Sequence, residues 1–383
     1  MRIHTIKMGE RVAELAREYE ISEELLRAYN DLPEGEGAIG EELCILRPTR
    51  CYAMRKFDSP ESLANRFSTS KKDLMSINPH LSGRGKNGKA IALKIPERTL
   101  GGAVSLGYIY NGCDEGDLRT ALPHMSYAVI CAGVCDERGA RLVFPIEATK
   151  RVLREGDVPY LLRFHVRSEC QDAQKLAEQM RRTASDEGAV GIVVPCEGRL
   201  GEIMAAVMPR LRELTRENGL FLITELDEES PEKIYETSDA SIFSYEALGC
   251  ESPLSFSEGV RSAVLDFSAK RGSCLGFLEL PSLALVGKNF VSKKEALDIA
   301  RKNQIEITTN PDTLLSGFRF GGREYLFPSL ENVKAHLNLA KEAGLSGVCF
   351  DVMRTPINTL MTYTSLYKTR GALPLKDGGC KRE

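Results

Sequence analysis

Eight short apolar runs recur along most of the chain and alternate with amphipathic stretches. The runs are AVSLGYIY, SYAVICAGV, PYLLRFHV, GAVGIVVPC, FLITEL, ASIFSYE, LGFLEL and GVCFDVM. Apolar residues recur at helical spacing in the stretches 173–184, 200–216, 257–270 and 330–343. Eight strand–helix units over about 270 residues predict an α/β fold, namely a (β/α)8 TIM barrel over 103–372.

A doubly wound parallel sheet is the main alternative to this barrel. No Gly-rich phosphate loop follows the first apolar run, so the barrel is favoured. One interruption follows the seventh run, where SKKEALDIARKN predicts a helix and IEITTN and GFRFGGREYLFP precede the next barrel helix. We therefore predict a small α+β insertion at about 288–328, in a loop of the face where barrel active sites are built.

The first part of the chain contains a weak internal repeat of about fifty residues. The copies span 1–48 and 50–97, and each reads strand, helix, turn, helix, strand. Ile21 and Ser22 start the second helix of the first copy, Ser70 caps that of the second, and the proline of NPHL ends it. The glycine pair in 98–102 indicates a linker, and 373–383 is a tail.

Composition argues against several functions. The net charge is −3 and no long basic run occurs, which argues against nucleic acid. No stretch approaches the roughly 18 apolar residues of a membrane span, and the N-terminus lacks the features of a signal peptide. The 11 cysteines contain no CxxC pair and the 5 histidines are dispersed, so neither disulfides nor a zinc site is favoured. Cys131, Cys196 and Cys349 are predicted to be small buried hydrophobes.

The repeated unit resembles the LysM module, which binds N-acetylglucosamine polymers such as peptidoglycan and chitin. The residues that carry the resemblance are MGERVAELAREY with YN in the first copy, and FDSPESLANRFSTSKKDLMSINP with KIP in the second. It implies sugar contacts before the first helix and after the second. By position these are Gly9, Glu10, Arg11, Asp31 and Leu32, then Asp58, Ser59, Pro60, Pro79 and His80. The alternative is a pair of modules that only dock on the larger domain or on a partner.

Two modules followed by a barrel with this insertion resemble the family 18 glycoside hydrolases, specifically the spore-cortex N-acetylglucosaminidases of endospore formers. The residues are GAVGIVVPCEG, SIFSYEALG and FRFGGREYLFPSLENVKAHLNLAKEAGLSGVCFDV, together with the module order. The family's Asp-x-Asp-x-Glu falls on Val193, Pro195 and Glu197. Residues at i, i+2 and i+4 of a strand point into the barrel together.

The resemblance implies a role for each site residue. Glu197 is the catalytic acid that protonates the glycosidic oxygen, whereas Pro195 stands where the family's aspartate holds the substrate acetamide. The alternative for Glu197 is an acid that only favours the helix beginning near Arg199. Tyr245 keeps the tyrosine that contacts the acetamide oxygen, and Glu246 replaces the neighbouring aspartate. Asp351 stands where the family places a tryptophan under the sugar, and the chain has no tryptophan.

Other side chains are candidates without a family role. Tyr108 and Tyr110 are either sugar contacts or core residues. The acids Glu225, Asp227, Glu279 and Asp351 fall near the C-terminal ends of strands. They either line one pocket, or are solvated loop acids or partners of Arg163, Arg167 or Arg354.

Two functions follow from these residues. One is a muralytic enzyme that hydrolyses N-acetylglucosaminyl bonds without a metal or organic cofactor. The other is a non-catalytic glycan-binding or spore-coat protein. Peptidoglycan or another N-acetylglucosamine polymer is the expected partner, with spore coat proteins as a further candidate. We expect synthesis in the cytoplasm and association with the spore coat or cortex.

Overall fold

The computed structural model describes residues 1–82, 88–95, 102–167, 172–196, 198–227, 230, 232–235, 237–244, 256–272, 274–287, 289–367 and 373. The first module comprises β1 (Arg2–Thr5), α1 (Val12–Glu18), α2 (Glu23–Asn30) and β2 (Glu42–Ile45). The second comprises β3 (Arg50–Ala53), α3 (Pro60–Arg66), α4 (Lys71–Ser76) and β4 (Ala90–Lys94). The two strands of each module pair antiparallel, which gives the predicted βααβ order.

The predicted helix boundaries in the modules are confirmed. Ser22 and Ser70 cap α2 and α4, and each accepts a hydrogen bond from the backbone N–H three residues further on. Helix α4 ends at Ser76, and Pro79 begins a short 3₁₀ turn.

One buried asparagine closes each module in the same way. Asn78 Nδ2 donates to the carbonyl oxygens of Leu74 and Ala92, and its Oδ1 accepts from the N–H of Ala92. Asn30 makes the same three bonds 48 residues earlier. The repeat seen in the sequence therefore extends to individual hydrogen bonds.

The rest of the described chain contains a barrel with one insertion. Its elements, in chain order, are β5 (Val104–Ile109), α5 (Glu115–Ala121), β6 (Tyr127–Asp136), β7 (Gly139–Leu142), α6 (Glu147–Glu155), β8 (Tyr160–Val166), α7 (Ala173–Glu187), β9 (Gly191–Pro195), α8 (Gly198–Ala205), α9 (Met208–Glu217), β10 (Phe221–Leu226), α10 (Glu232–Tyr235), β11 (Ala240–Phe243), α11 (Glu258–Lys270), β12 (Leu275–Glu279), β13 (Leu283–Val286), β14 (Asn289–Ser292), α12 (Lys293–Asn303), β15 (Thr308–Asn310), β16 (Leu315–Phe320), β17 (Arg323–Pro328), α13 (Leu330–Glu342), β18 (Gly347–Asp351) and α14 (Ile357–Leu366).

Eight strands close into the predicted (β/α)8 barrel. Strands β5, β6, β8, β9, β10, β11, β12 and β18 pair in parallel, and β5 pairs with both β6 and β18. Each of them coincides with one of the eight apolar runs, except that β6 continues two residues beyond its run, to Asp136. Alternate residues of β9 face different cores, because Val193 packs inside the barrel whereas Ile192 and Val194 pack outward against the helices.

Two local features differ from the sequence prediction. The prediction of one continuous helix over 200–216 is wrong, because α8 ends at Ala205 and α9 begins at Met208. Pro209 lies in the first turn of α9, where its missing N–H costs nothing, whereas inside one long helix it would break the ladder. Strand β7 was not predicted; it pairs with the end of β6 through a tight turn at Gly139, whose φ is +96°.

The insertion follows the seventh barrel strand, as predicted. Strands β13 to β17 form an antiparallel sheet in the order β14-β13-β17-β16-β15, and α12 packs on it. The sheet starts at Leu283, before the predicted limit near 288. Ala38 of the first module is fully buried in the same hydrophobic cluster, so the module contributes to the core of the insertion.

A buried ion pair joins the first module to the insertion. Arg301 Nη2 of α12 lies 2.6 Å from Glu41 Oε1, and the two side chains are 6% and 1% exposed. The same guanidinium donates to the carbonyl oxygens of Asn30 and Asp31. The first module is therefore docked on the barrel domain.

Within the described residues, no helix combines the length and the apolar character needed to cross a bilayer. The same residues contain no group of three or more His, Cys, Asp or Glu side chains that could hold a metal ion. Cys196 and Cys349 are buried as predicted, whereas Cys131 is half-buried.

We predict that Asn78→Ala loosens the second module. The substitution leaves the buried N–H and C=O of Ala92 without partners, so the local stability should fall by about 3 kcal/mol. Hydrogen–deuterium exchange of the peptide that covers β4 should then become roughly a hundredfold faster. Asn65→Ala on the exposed face of α3 is the control, and equal exchange rates in the two variants would contradict the prediction.

Candidate functional site

The barrel mouth gathers side chains from the C-terminal ends of the strands. Parallel register puts Arg163 of β8 beside Val193 of β9, and Pro195 of β9 beside Glu225 of β10. Because side chains alternate along a strand, Arg163, Pro195 and Glu225 share the interior face with core residues such as Val193. The interior therefore changes from apolar to polar at this level.

A buried network joins three strands there. Arg163 Nη2 and Nε lie 2.7 and 2.8 Å from Glu225 oxygens, and the Tyr108 hydroxyl donates to Glu225 Oε1 at 2.7 Å. The side chains of Arg163 and Glu225 are 17% and 5% exposed. Since β9, the fourth strand of the barrel, lies between β8 and β10, this ion pair crosses the interior side of β9, where Pro195 has no polar side-chain atom. The predicted alternative of a Glu225–Arg163 pair is confirmed.

Burial and charge set the protonation of this network. Burial opposes the charge of Arg163, but the Glu225 carboxylate outweighs it and the pKa of Arg163 lies well above its ordinary value. Burial, and then the same carboxylate, raise the pKa of Tyr108. The phenol therefore stays protonated at neutral pH and donates to Glu225. In this arrangement neither Arg163 nor Tyr108 can take a proton from a substrate.

A second group of side chains lies beside β18. The Tyr110 ring stacks 6.3 Å from Tyr108, and the Arg354 guanidinium lies 5.6 Å from the Tyr110 centroid. Arg354 Nε is 3.3 Å from Asp351 Oδ2, and Asp351 Oδ1 accepts from the backbone N–H of Met353 and Arg354. Asp351 therefore fixes the loop after β18, and its predicted pairing with Arg354 is confirmed.

The other two acids at the strand ends are bonded to serines. Ser244 Oγ donates to Glu279 Oε2 at 3.1 Å. Ser230 Oγ donates to Asp227 Oδ1 at 2.7 Å, and the Asp227 N–H donates back to Ser230 Oγ. Each carboxylate thus has a polar partner within the protein.

Three predicted residues lie outside the described part of the chain, namely Glu197, Tyr245 and Glu246. The residues before them are described: Cys196 is fully buried and Ser244 is 8% exposed, at the ends of β9 and β11. The roles of Glu197, Tyr245 and Glu246 stay predictions.

In the loop before α3 of the second module, the predicted sugar contacts Asp58 and Ser59 form hydrogen bonds within the module. Asp58 Oδ2 accepts from the Tyr52 hydroxyl and the Arg55 N–H, both at 2.8 Å, and Oδ1 lies 3.1 Å from Arg66 Nη2. These bonds, led by that from Arg55, lower the pKa of Asp58. The Ser59 hydroxyl caps α3. Neither side chain therefore presents a free polar group.

The corresponding loop of the first module is built from different residues. Glu10 Oε2 accepts from the Lys7 N–H and lies 2.8 Å from His4 Nε2, in the way that Asp58 serves the second module. In addition, Glu36 Oε2 accepts from the Val12 N–H at 2.7 Å and so reaches across to the start of α1. The two predicted sugar-binding loops of the first module are therefore tied to each other.

Phe57 is a surface feature that the sequence reasoning missed. It lies between β3 and α3, its side chain is 90% exposed, and Lys56 Nζ is 5.7 Å from its ring. A phenylalanine between charged residues in a predicted loop was the available signal. The bond between Tyr108 and Glu225 was also missed, although both residues occupy inward positions of their strands.

We predict that Arg163→Met destabilises the barrel. The variant leaves Glu225 as a buried carboxylate without a cation, which should cost about 3–5 kcal/mol at neutral pH. The unpaired carboxyl would have a raised pKa, so the loss should be smallest at acid pH and grow as the pH rises through that pKa. Chemical denaturation at pH 5 and pH 8 measures this. Arg167→Met, at an exposed position directly after the same strand, is the control, and a loss independent of pH would contradict the reasoning.

Comparison with known proteins agrees with these features. Residues 55–85 match the LysM domain family. The chain is similar to the spore cortex-lytic enzyme SleL of Bacillus megaterium (14% identity, 96% of this chain, 98% of that chain, TM-score 0.69) and of Bacillus cereus (15%, 96%, 98%, 0.70). It is also similar to a family GH18 chitinase of Cycas revoluta (13%, 69%, 99%, 0.55). No curated protein sequence matches the chain. The chain thus carries a LysM domain in its second module, and its barrel has the fold of family 18 glycoside hydrolases.

Proposed function

We propose that this protein binds polymers of N-acetylglucosamine, with peptidoglycan of a spore cortex or cell wall as the natural polymer, and that its barrel does not hydrolyse them by the family's route. The LysM match at 55–85 supports the glycan, and the two SleL enzymes of similar fold are described as spore cortex-lytic. The proposed place of action is the spore coat or cortex.

The Arg163–Glu225 pair is the observation that supports the absence of hydrolysis by the family's route. The family mechanism needs a carboxylate on strand four to hold the acetamide, and Pro195 cannot supply one. Glu225 is the register partner of Pro195, yet its carboxylate is already bound by Arg163 and Tyr108. Removing it from these partners would leave a buried cation unpaired, which is costly.

Binding is assigned to the second module because its first loop presents Phe57. The ring is almost fully exposed beside Lys56, and an exposed aromatic face suits the apolar face of a pyranose ring. Asp58 and Ser59 act by holding this loop in shape, through their bonds to Arg55 and to the first turn of α3.

A second candidate is hydrolysis with Glu197 as the acid and Tyr245 as the orienting residue. The specific observation in its favour is that Tyr108 and Glu225 place a phenol and a carboxylate at the inner face of the barrel beside strand four. On this hypothesis Glu225 replaces the missing acetamide-binding aspartate. Tyr110, directly after β5, and Asp351, at the end of the neighbouring strand β18, would flank the sugar.

We predict that Phe57→Ala weakens binding to insoluble chitin and to purified peptidoglycan by about tenfold, as loss of one exposed aromatic anchor commonly does. Co-sedimentation at a series of polymer concentrations gives the apparent Kd. Phe290→Ala is the matched control, since Phe290 is a 48% exposed phenylalanine of the insertion. Equal weakening of binding in both variants would show that Phe57 is not part of the binding site. Absence of binding by the unaltered protein would reject the proposed glycan-binding function.

We also predict that the protein releases no reducing ends or soluble muropeptides from spore cortex above the buffer background, and that Glu197→Gln behaves identically. Reducing-end assay and chromatography of the soluble fraction measure this over long incubations. Release that disappears in Glu197→Gln would contradict the proposal. It would instead support the second candidate, with Glu225 as the group to substitute next.

A further inference from the structure

A cleft of about 670 Å³ lies where the two modules, the insertion and the barrel meet. We propose that this cleft is a binding subsite for an uncharged N-acetylglucosamine oligomer, shared by both modules and the barrel. This inference rests on the proposed function, because it assigns a place to the same polymer. The volume falls within the range of pockets that hold small ligands, about 300–1,000 Å³.

The internal repeat supplies the first argument. Asp31 and Leu32 of the first module line the cleft, and so do Pro79 and His80 of the second. Each of the latter two lies 48 residues after its counterpart, so both modules present the same part of their fold, the segment after the second helix. Two equivalent surfaces therefore border one space, which suits a ligand made of repeating units.

The barrel supplies the third wall, next to its own mouth. Met353 and Thr355, in the loop after β18, line the cleft. Arg354 of the same loop lies over the Tyr110 ring at the barrel mouth and pairs with Asp351 at the end of β18. A single loop thus separates the cleft from the mouth, and a glycan chain held in the cleft would lie one loop away from Tyr110.

The cleft is held open by contacts between separate elements. Lys89 of the second module lies 3.6 Å from Glu24 of the first, and Glu24 also accepts from the Ala90 N–H at 3.0 Å. Lys294 of the insertion also lies 3.2 Å from Asp117 of the barrel helix α5. These links fix the walls before a ligand binds, so little conformational entropy would be lost in ordering them.

The lining indicates the charge of the ligand. The cleft is bordered by five carboxylates and three cations, which are Glu23, Glu24, Asp31, Glu34 and Asp117, and Arg27, Lys89 and Lys294. Each of the three cations already has a carboxylate partner in the cleft wall. Burial lowers the pKa of His80, so it adds no charge at neutral pH. The excess of carboxylates disfavours an anionic chain.

The remaining lining suits a sugar. Leu32, Ile357 and Leu360 give an apolar surface, each at most 8% exposed. Thr355 is 7% exposed, and its Oγ1 has no hydrogen-bond partner among the described residues. A buried hydroxyl without a partner beside apolar side chains is what an amphipathic, hydrogen-bonding ligand would satisfy.

The proposed subsite can be tested by a substitution that fills the cleft. Ala28 of α2 is half-buried and lines it, so Ala28→Phe places a ring in the space, whereas Ala269→Phe puts the same ring on the exposed surface of α11. Calorimetry with the N-acetylglucosamine hexamer should give an affinity at least tenfold lower for Ala28→Phe and unchanged for Ala269→Phe. Soluble peptidoglycan fragments with and without their charged peptides are the second ligand set, and the fragments without peptides should bind more tightly.

A direct signal keeps the inference testable if Ala28→Phe folds poorly. In the unaltered protein with ¹³C-methyl methionine, hexamer should move the methyl signal of Met353 and leave that of Met180, buried on α7, in place. Hexamer binding without a Met353 shift would overturn the cleft and leave the proposed function standing. Absence of binding to hexamer and to peptidoglycan fragments would reject both.

Discussion

The arrangement of the whole molecule depends on the buried pair between Arg301 and Glu41. Its atoms come from the insertion and from the first module, 260 residues apart in the chain. Burial disfavours the Arg301 cation, but Glu41 more than compensates and raises its pKa. Removing one partner of such a pair costs about 3–5 kcal/mol. The pair fixes the first module against α12, and both elements contribute residues to the cleft, namely Asp31 and Lys294.

A second buried pair determines what the barrel interior can do. Arg163 and Glu225 need one another because neither charge could stay in this apolar setting alone. Their pairing lies across the strand where Pro195 has no carboxylate, and Tyr108 adds a hydrogen bond from the far side of the barrel. The same contacts that make this interior stable also occupy the carboxylate that would be nearest to a bound acetamide. Stability and hydrolysis by the family's route therefore compete for Glu225.

The sequence predicted whatever depends on short-range pattern. The eight strands were predicted from apolar runs, and the insertion from an extra helical segment that interrupts the alternation of strands and helices. The caps at Ser22 and Ser70 were predicted from residue type. It did not predict which distant side chains meet, such as Tyr108 with Glu225, because no periodicity encodes a contact across 117 residues. The break between α8 and α9 follows from residue type, since Pro209 fits the first turn of a helix but not its interior. The catalytic role of Glu197 remains a prediction from the family resemblance, because the residue lies outside the described part of the chain.

The two modules share a fold but differ in the hydrophobic cluster that their cores join and in the hydrogen bonds of their loops. Much of the first module's core belongs to the same cluster as the barrel's outer layer, whereas Leu63, Leu74 and neighbouring residues give the second module a cluster of its own. In the first, Glu36 binds the Val12 N–H and ties its loops together. In the second, Pro60 stands at that place and has no N–H to offer, so this tie cannot form. The first module is thus held rigidly and contributes Asp31 and Leu32 to one wall of the cleft. The second module keeps its own core and presents Phe57 in its first loop.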